Sequence, residues 1–385
     1  MTTQWNWREC RERRAFLALE DGAIFRGWSF GASRDVAGEL VFNTGMTGYQ
    51  EILSDPSYNG QLVVMTCPEI GNTGVNSPDM ESPRLFANGF IVRQINPSSS
   101  WRSESRLDAF LRERGVPAIA GVDTRALTLC IRERGSLKAF LCASGALDPG
   151  AAVERARKWE GLENQDYVRR VTCEAPYHWD PDGSRTCSWD VAEKLPPEDL
   201  RVVAYDFGIK FNILRSMRRL GIGVRVVPAH TSAREAMAQK PDGVLLSNGP
   251  ADPAAVGYAI EAARELIGKV PLMGICLGHQ ILGIAAGART YKLKFGHHGC
   301  NHPVRNMADG RIEITSQNHN FAIASGSIDR SRLEITHVNL NDRTIEGIRH
   351  MREPMFAVQY HPEAAPGPHD PFYLFKKFRE LMEKA

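Results

Sequence analysis

From Arg201 onward the chain alternates short apolar runs with segments whose apolar residues recur every three or four positions. "RVVAYDFG", "VRVVPA", "GVLLSNG" and Val270 to Met273 read as buried strands. "KFNILRSMRRLG", "SAREAMAQK" and "PAAVGYAIEAARELIG" read as the helices between them, the first ended by Gly221 and the second capped by Thr231 or Ser232. Phe356 to Gln359 reads as a further buried strand. Strands apolar throughout, alternating with amphipathic helices, predict βαβ units and a mostly parallel sheet flanked by helices. Ligands of such sheets bind at the carboxyl ends of the strands, so "SNGPADP" and "GICLGHQ" are expected to face one crevice.

The front of the chain has a different rhythm. "AFLALEDGAIFRG", "GELVFNTG", "QLVVMTCP" and "GFIVRQI" are short β-like runs broken by turns, and "SESRLDAFLRERG" and "DTRALTLCIRERG" carry a helical period. Residues 1–147 are therefore expected to form a β-rich domain with peripheral helices. Residues 148–199, polar and punctuated by "DPDGSRT" and "LPPEDL", read as a linker with room for a short helix, and residues 200–385 as the α/β domain.

Bulk composition changes this picture little. A chain of 385 residues exceeds what one core usually supports, which agrees with two domains. Apolar content of 43% and charged content of 24% describe an ordinary globular protein. A net charge of +2 gives no support for binding nucleic acid or a membrane surface. No stretch approaches the ~18 apolar residues of a membrane span, and the basic start has no apolar signal region and reads as a solvated tail. Eight cysteines without a Cys-x-x-Cys pair point away from a zinc ribbon or disulfide framework and towards a reducing cytoplasm.

One cysteine stands apart. In "LMGICLGHQILG" Cys276 lies between Gly274 and Gly278, after an apolar run and before a helix expected from His279 to Ala286. That is the sulfur version of the strand–turn–helix nucleophile elbow, which aims the reacting atom at a helix N-terminus, where unpaired N–H groups favour an anion. A lone cysteine in an apolar segment is more often a small buried hydrophobe, so a general base is required. His279 is carried away by the helix. His361 is better placed, at the carboxyl end of a buried strand, and Glu363 two residues on can hold its ring. Taken alone, His361 reads as a strand-end histidine on a surface loop. The N–H of Leu277 and one from the glycine turn at Gly249 are candidates for an oxyanion hole. "FGHHGCNHP" gathers His297, His298, Cys300 and His302, but that spacing matches no established zinc pattern and no metal is expected.

Taken together, "LSNGPADP", "GICLGHQILG" and "QYHPEAAPGP" resemble the class I glutamine amidotransferases over about the last 185 residues. "GELVFNTGMTGYQEILSDPSY", "PEIGNTGVN", "AGVDTRALT", "YDFGIKFNILR", "KFGHHGCNHPV" and "TSQNHNFAI" are similar to the small, glutaminase chains of carbamoyl-phosphate synthetases. The resemblance implies an enzyme in which Cys276 attacks glutamine to form a γ-glutamyl thioester, His361 moves the proton and Glu363 orients His361. Gly249 and Leu277 would be oxyanion donors. Glutamine would be held by Ser57, Gly249, Ala251, Leu277, Gln280, Asn318, Asn320 and Phe321. Two positions depart from the family, which usually has glycine where this chain has Ala251 and Asn320.

The resemblance further implies that ammonia passes to a large synthetase subunit, which makes carbamoyl phosphate from bicarbonate and ATP for arginine and pyrimidine biosynthesis. The front domain would dock that partner. ATP and Mg are expected there, with no cofactor in this chain, which has no Gly-x-x-x-x-Gly-Lys-[Ser/Thr] loop. The competing readings are an amidotransferase serving another synthase, which the front domain argues against, and a non-catalytic regulatory relative.

Overall fold

The computed structural model describes residues 11–187, 194–250 and 252–385, so Ala251 and most of the basic N-terminal tail lie outside the described residues. The chain forms two compact units, Met1–Leu162 and Glu163–Ala385.

In the first unit, β1 (Arg14–Leu19), β2 (Ile24–Ser29), β3 (Val36–Asn43), β4 (Gln61–Met65), β6 (Gly89–Ile91), β8 (Ala118–Ala120) and β9 (Leu137–Cys142) close into a barrel. A two-stranded ribbon, β5 (Glu69–Ile70) with β7 (Gln94–Ile95), accompanies it. Closure removes the exposed strand edges that so many short strands would otherwise leave. Phe30, Val41, Tyr58, Val63, Met65 and Phe90 belong to one buried cluster of this unit.

The second unit holds a ten-stranded mixed sheet in the order β10-β12-β11-β13-β14-β19-β18-β17-β15-β16. Its strands are β10 (Tyr177–His178), β11 (Leu200–Asp206), β12 (Ile222–Pro228), β13 (Gly243–Leu246), β14 (Leu272–Ile275), β15 (Thr290–Asn306), β16 (Ile312–Ile323), β17 (Leu333–Asn339), β18 (Ile345–His350) and β19 (Met355–Val358). β12, β11, β13, β14 and β19 are mutually parallel, as their apolar runs require, and β18, β17, β15 and β16 extend the sheet with antiparallel pairs. Apolar residues sit in two buried clusters, one containing Val203, Tyr205, Leu246 and Leu282, the other Val202, Leu245, Met273 and Phe375. Neighbours in one strand, such as Val202 and Val203, fall in different clusters, so both faces of the sheet are covered.

Three expectations are corrected by the structure. The stretch 148–199 is not a plain linker. Asp148 caps a helix, Pro149–Lys158, whose Ala152, Val153 and Ala156 pack with Phe16 and Phe140 in the first unit. Tyr177 and His178 pair with β12 in the second unit, and Trp179 is fully buried in its core. Apolar residues spaced among charges carry these contacts, and their polar neighbours hid them. The strand before Cys276 runs Leu272–Ile275 rather than 270–273, and the helix after it spans Leu277–Ala285. The turn therefore consists of Cys276 alone, and Gly278 inside the helix masked its early start. The segment "PAAVGYAIEAARELIG" divides into a 3-10 turn, Pro253–Ala255, and a helix, Gly257–Leu266. Ser232 caps its helix through a full capping box with Glu235.

The glycines flanking Cys276 are needed for close approach of backbones, not for unusual dihedrals. A Cβ on Gly278 would lie 2.0 Å from the Leu246 carbonyl oxygen, and one on Gly274 2.8 Å from the Gly278 carbonyl. The space is taken by the helix seating on β13, where the Gly278 N–H donates to Ser247 O at 3.0 Å. Gly278→Ala is expected to lower stability by about 3 kcal/mol or more through this backbone collision, read as a lower urea midpoint with an unchanged slope.

Candidate active site

The elbow is strained. Cys276 adopts φ 54°, ψ −103°, a region that side-chain-bearing residues rarely visit and that costs on the order of 1–3 kcal/mol. It is held on both sides: the Cys276 N–H donates to Val358 O at 2.9 Å, and its carbonyl accepts from Gln280 N at 3.2 Å. The thiol is 2% exposed and donates to the Asn318 carbonyl at 3.5 Å. Gln359 directs its amide at the same sulfur, 3.7 Å away.

His361 arrives from the loop after β19, and its N–H is fixed to Ser316 O of β16 at 2.9 Å. Strand β16 thus anchors the histidine at one residue and meets the thiol two residues later. The imidazole Nδ1 donates to Glu363 Oε1 at 2.6 Å. Its other nitrogen, Nε2, is buried with no further hydrogen-bond partner among the described residues, and the ring interacts with Cys276. Burial alone would push the imidazolium down; Glu363 and Cys276 outweigh it and hold the group at about 10. Burial would raise the Glu363 carboxyl, but Lys210 and His361 bring it to about 2.

Lys210 is the functional neighbour that sequence reasoning missed. Its Nζ lies 2.9 Å from Glu363 Oε1 and also donates to Ala364 O at 2.6 Å, with only 3% of the side chain exposed. The loop that presents it is built from "YDFGIK". Asp206 accepts from the N–H groups of Cys173, Gly208 and Ile209, while Ser247 and Asn248 accept from those of Phe207 and Lys210. Asn212, on the following helix, donates to the Glu363 carbonyl. A lysine before a helix reads as a solvated charge; its partner is 153 residues away. The motif itself was the only available signal.

Gly249 and Leu277 are neighbours: a Cβ on Gly249 would meet the Leu277 Cδ2 at 2.8 Å and the Phe207 carbonyl at 2.2 Å. Gln280 is buried and donates to Phe321 O at 2.7 Å and Gln359 Oε1 at 3.0 Å. Asn318 and Asn320 are buried on β16, both with Oδ1 against the His298 ring, at 3.0 and 2.9 Å. Cys276, Gln280, Asn318 and Phe321 are therefore brought together around the elbow. Ser57 is placed in the first unit, buried on the 3-10 turn Pro56–Tyr58, its N–H donating to Asp55. His279 is fully buried with its Nδ1 against Gln359, which removes it as a competing base.

A strained cysteine elbow at the carboxyl end of a central parallel strand, with a histidine–carboxylate pair beside it, defines a class, and residues 203–381 match the family Glutamine amidotransferase class-I. Residues 17–141 match Carbamoyl-phosphate synthase small chain, CPSase domain. The chain is 53% identical to a carbamoyl phosphate synthase small chain of Syntrophotalea carbinolica, over 96% of this chain and 98% of that one. It is 50% identical to the small chain of Aquifex aeolicus, over 96% and 99%, and 47% identical to the chloroplastic small chain of Oryza sativa subsp. japonica, over 96% and 82%. It belongs to the carbamoyl phosphate synthase small chain family. Among the described residues no helix is long and apolar enough to cross a membrane.

Glu363→Gln would leave two buried cations without their anion, a loss of about 3–5 kcal/mol. The Glu363 carboxyl, depressed to about 2, contributes stability above its ordinary 4.5 that is lost as pH falls towards 2. The His361 imidazolium, raised to about 10, contributes stability below 6.5 that is lost as pH rises towards 10. The Tm gap between wild type and Glu363→Gln, followed by calorimetry, should therefore be widest between pH 4.5 and 6.5 and narrow on either side.

Proposed function

We propose that this chain is the glutaminase subunit of a carbamoyl-phosphate synthetase and that Cys276, His361 and Glu363 act as its catalytic relay. The observation that carries this reading is the buried string Lys210–Glu363–His361, which ends beside the Cys276 thiol at the elbow. Sγ gives its proton to His361, forming a thiolate–imidazolium pair, and then attacks the side-chain carboxamide carbon of glutamine. The resulting imidazolium is the form that Glu363 stabilises, so the proton is held ready for the departing nitrogen. Ammonia leaves, a γ-glutamyl thioester remains on Cys276, and His361 then activates the water that releases glutamate.

The tetrahedral oxyanion would be met by the N–H groups of Leu277 and Gly249, each such donor typically worth about 3 kcal/mol in the transition state. Gln280, Asn318, Asn320 and Phe321 surround the elbow and are the residues of the second unit proposed to hold glutamine. Gly249, Leu277, Ala251 and, from the first unit, Ser57 are assigned the same role by the family resemblance. Asn320, where the family usually has glycine, directs its Oδ1 at the His298 ring at 2.9 Å. Ammonia would pass to a large subunit that uses bicarbonate, ATP and Mg to make carbamoyl phosphate, in cells within the cytoplasm. The barrel unit would dock it.

Two assays test this reading. Ammonia release from glutamine by the isolated chain should fall at least ~10³-fold in Cys276→Ser and in His361→Asn. When either variant is combined with the large subunit, glutamine-dependent carbamoyl phosphate formation should be lost and the reaction with free ammonia kept. Glutamine hydrolysis unchanged in Cys276→Ser would refute the relay.

A further inference from the structure

Behind the glutamine-binding strand lies a second polar cluster that the relay does not use. His297 on β15, His319 on β16 and Glu346 on β18 are all buried, and one ligand atom from each lies within 4.8 Å of the others. Each imidazole has one nitrogen fixed from behind. His297 Nε2 donates to Asp342 Oδ2 at 2.8 Å, and His319 Nδ1 donates to Phe321 O at 2.7 Å. This is how metal-bound histidines are oriented: the outer N–H goes to a carboxylate or carbonyl and the inner nitrogen keeps its lone pair.

The inner atoms are in an unusual position. His297 Nδ1 faces Glu346 Oε1 at 3.6 Å, an ion-pair contact longer than a hydrogen bond, and makes no hydrogen bond among the described residues. His319 Nε2 faces Gln317 Oε1 at 3.0 Å, while the Gln317 amide donates to Glu346 Oε2 at 3.0 Å. With Nδ1 protonated, His319 and Gln317 therefore confront each other as two acceptors. Turning the Gln317 amide over only moves the conflict to the Glu346 carboxylate. Glu346 is meanwhile held by Asn339 and Thr344. Two carboxylates face His297, Asp342 at Nε2 and Glu346 at Nδ1, and a divalent ion would displace the proton between Nδ1 and Glu346.

We propose that His297 Nδ1, His319 Nε2 and Glu346 Oε1 form a site for a divalent transition metal of the Zn²⁺ class. Tetrahedral zinc with ligands at ~2.0–2.1 Å spaces them about 3.3 Å apart, so the 3.6 Å His297–Glu346 pair is nearly in place and His319 must close in by no more than ~1.5 Å. His302, its ring centroid 5.2 Å from that of His297 and its buried Nδ1 without a hydrogen-bond partner among the described residues, stands beside His297. The linear spacing of His297, His298, Cys300 and His302 gave no hint of this set, because its ligands come from three strands. Occupancy would pin β16 to β15 and β18 at His319, between Asn318 and Asn320, so glutamine KM should respond to the metal.

The test uses the full chain stripped with a chelator and titrated calorimetrically with Zn²⁺. Wild type and Cys276→Ser should each bind one equivalent and gain several degrees of Tm, and Co²⁺ should give the strong visible absorption of a tetrahedral site. Glu346→Gln and His297→Ala should lose affinity by more than the ~10–100-fold typical of outer-shell changes. If either variant does not fold, X-ray absorption of the zinc-loaded wild type decides, with imidazole and oxygen ligands expected. Absence of stoichiometric zinc, loss of zinc in Cys276→Ser, or sulfur in the first coordination shell would overturn the proposal.

Discussion

The second unit depends on one carboxylate shared by two cations. Glu363 is fully buried, and a buried carboxylate is tolerated only when it is neutralised and hydrogen-bonded. Lys210 and His361 converge on the same oxygen, Oε1. The lysine comes from the loop after the first parallel strand and the histidine from the end of the last. Satisfying Glu363 thus fixes both loops, and with them the side of the imidazole that meets the thiol. Burying such a string adds little net stability compared with apolar packing. What it specifies is geometry and charge: a ring fixed in orientation and favoured as the imidazolium beside the Cys276 sulfur.

The elbow is the complementary constraint. Its strain at Cys276 is sustained because Val358 O, Gln280 N and the Gly278–Ser247 contact leave no other path for the backbone. A sulfur on such a turn is presented at a helix N-terminus, and the buried amides of β16 and Gln359 close around it. The same β16 backbone anchors His361 through Ser316 and touches Cys276 through Asn318, so one strand sets the separation between the imidazole and the sulfur.

Much of this was legible in the sequence, and the boundary is physical. The parallel strands were readable because both their faces are buried, which leaves a continuous apolar signature. Cys276, His361 and Glu363 were readable because each lies at a strand end beside punctuating glycine or proline. The antiparallel extension was not, since β16 buries Ser316, Gln317, Asn318, His319 and Asn320 in place of alternating apolar residues. Its buried polar side chains are engaged by partners distant in sequence, and such partners leave no periodic trace. Lys210 was hidden for the same reason, its counter-ion lying far along the chain. The helix Pro149–Lys158 and Trp179 show the reverse error, where a polar composition concealed a few apolar contacts that decide where the chain packs.

The central claim is that His361, charged and oriented by Glu363 and Lys210, activates the Cys276 sulfur. The most direct measurement is the rate of Cys276 alkylation by iodoacetamide at pH 7, resolved by peptide mass spectrometry, in wild type and His361→Asn. The account predicts alkylation at least ~10-fold faster with the histidine present. Equal rates in two equally folded proteins would contradict it.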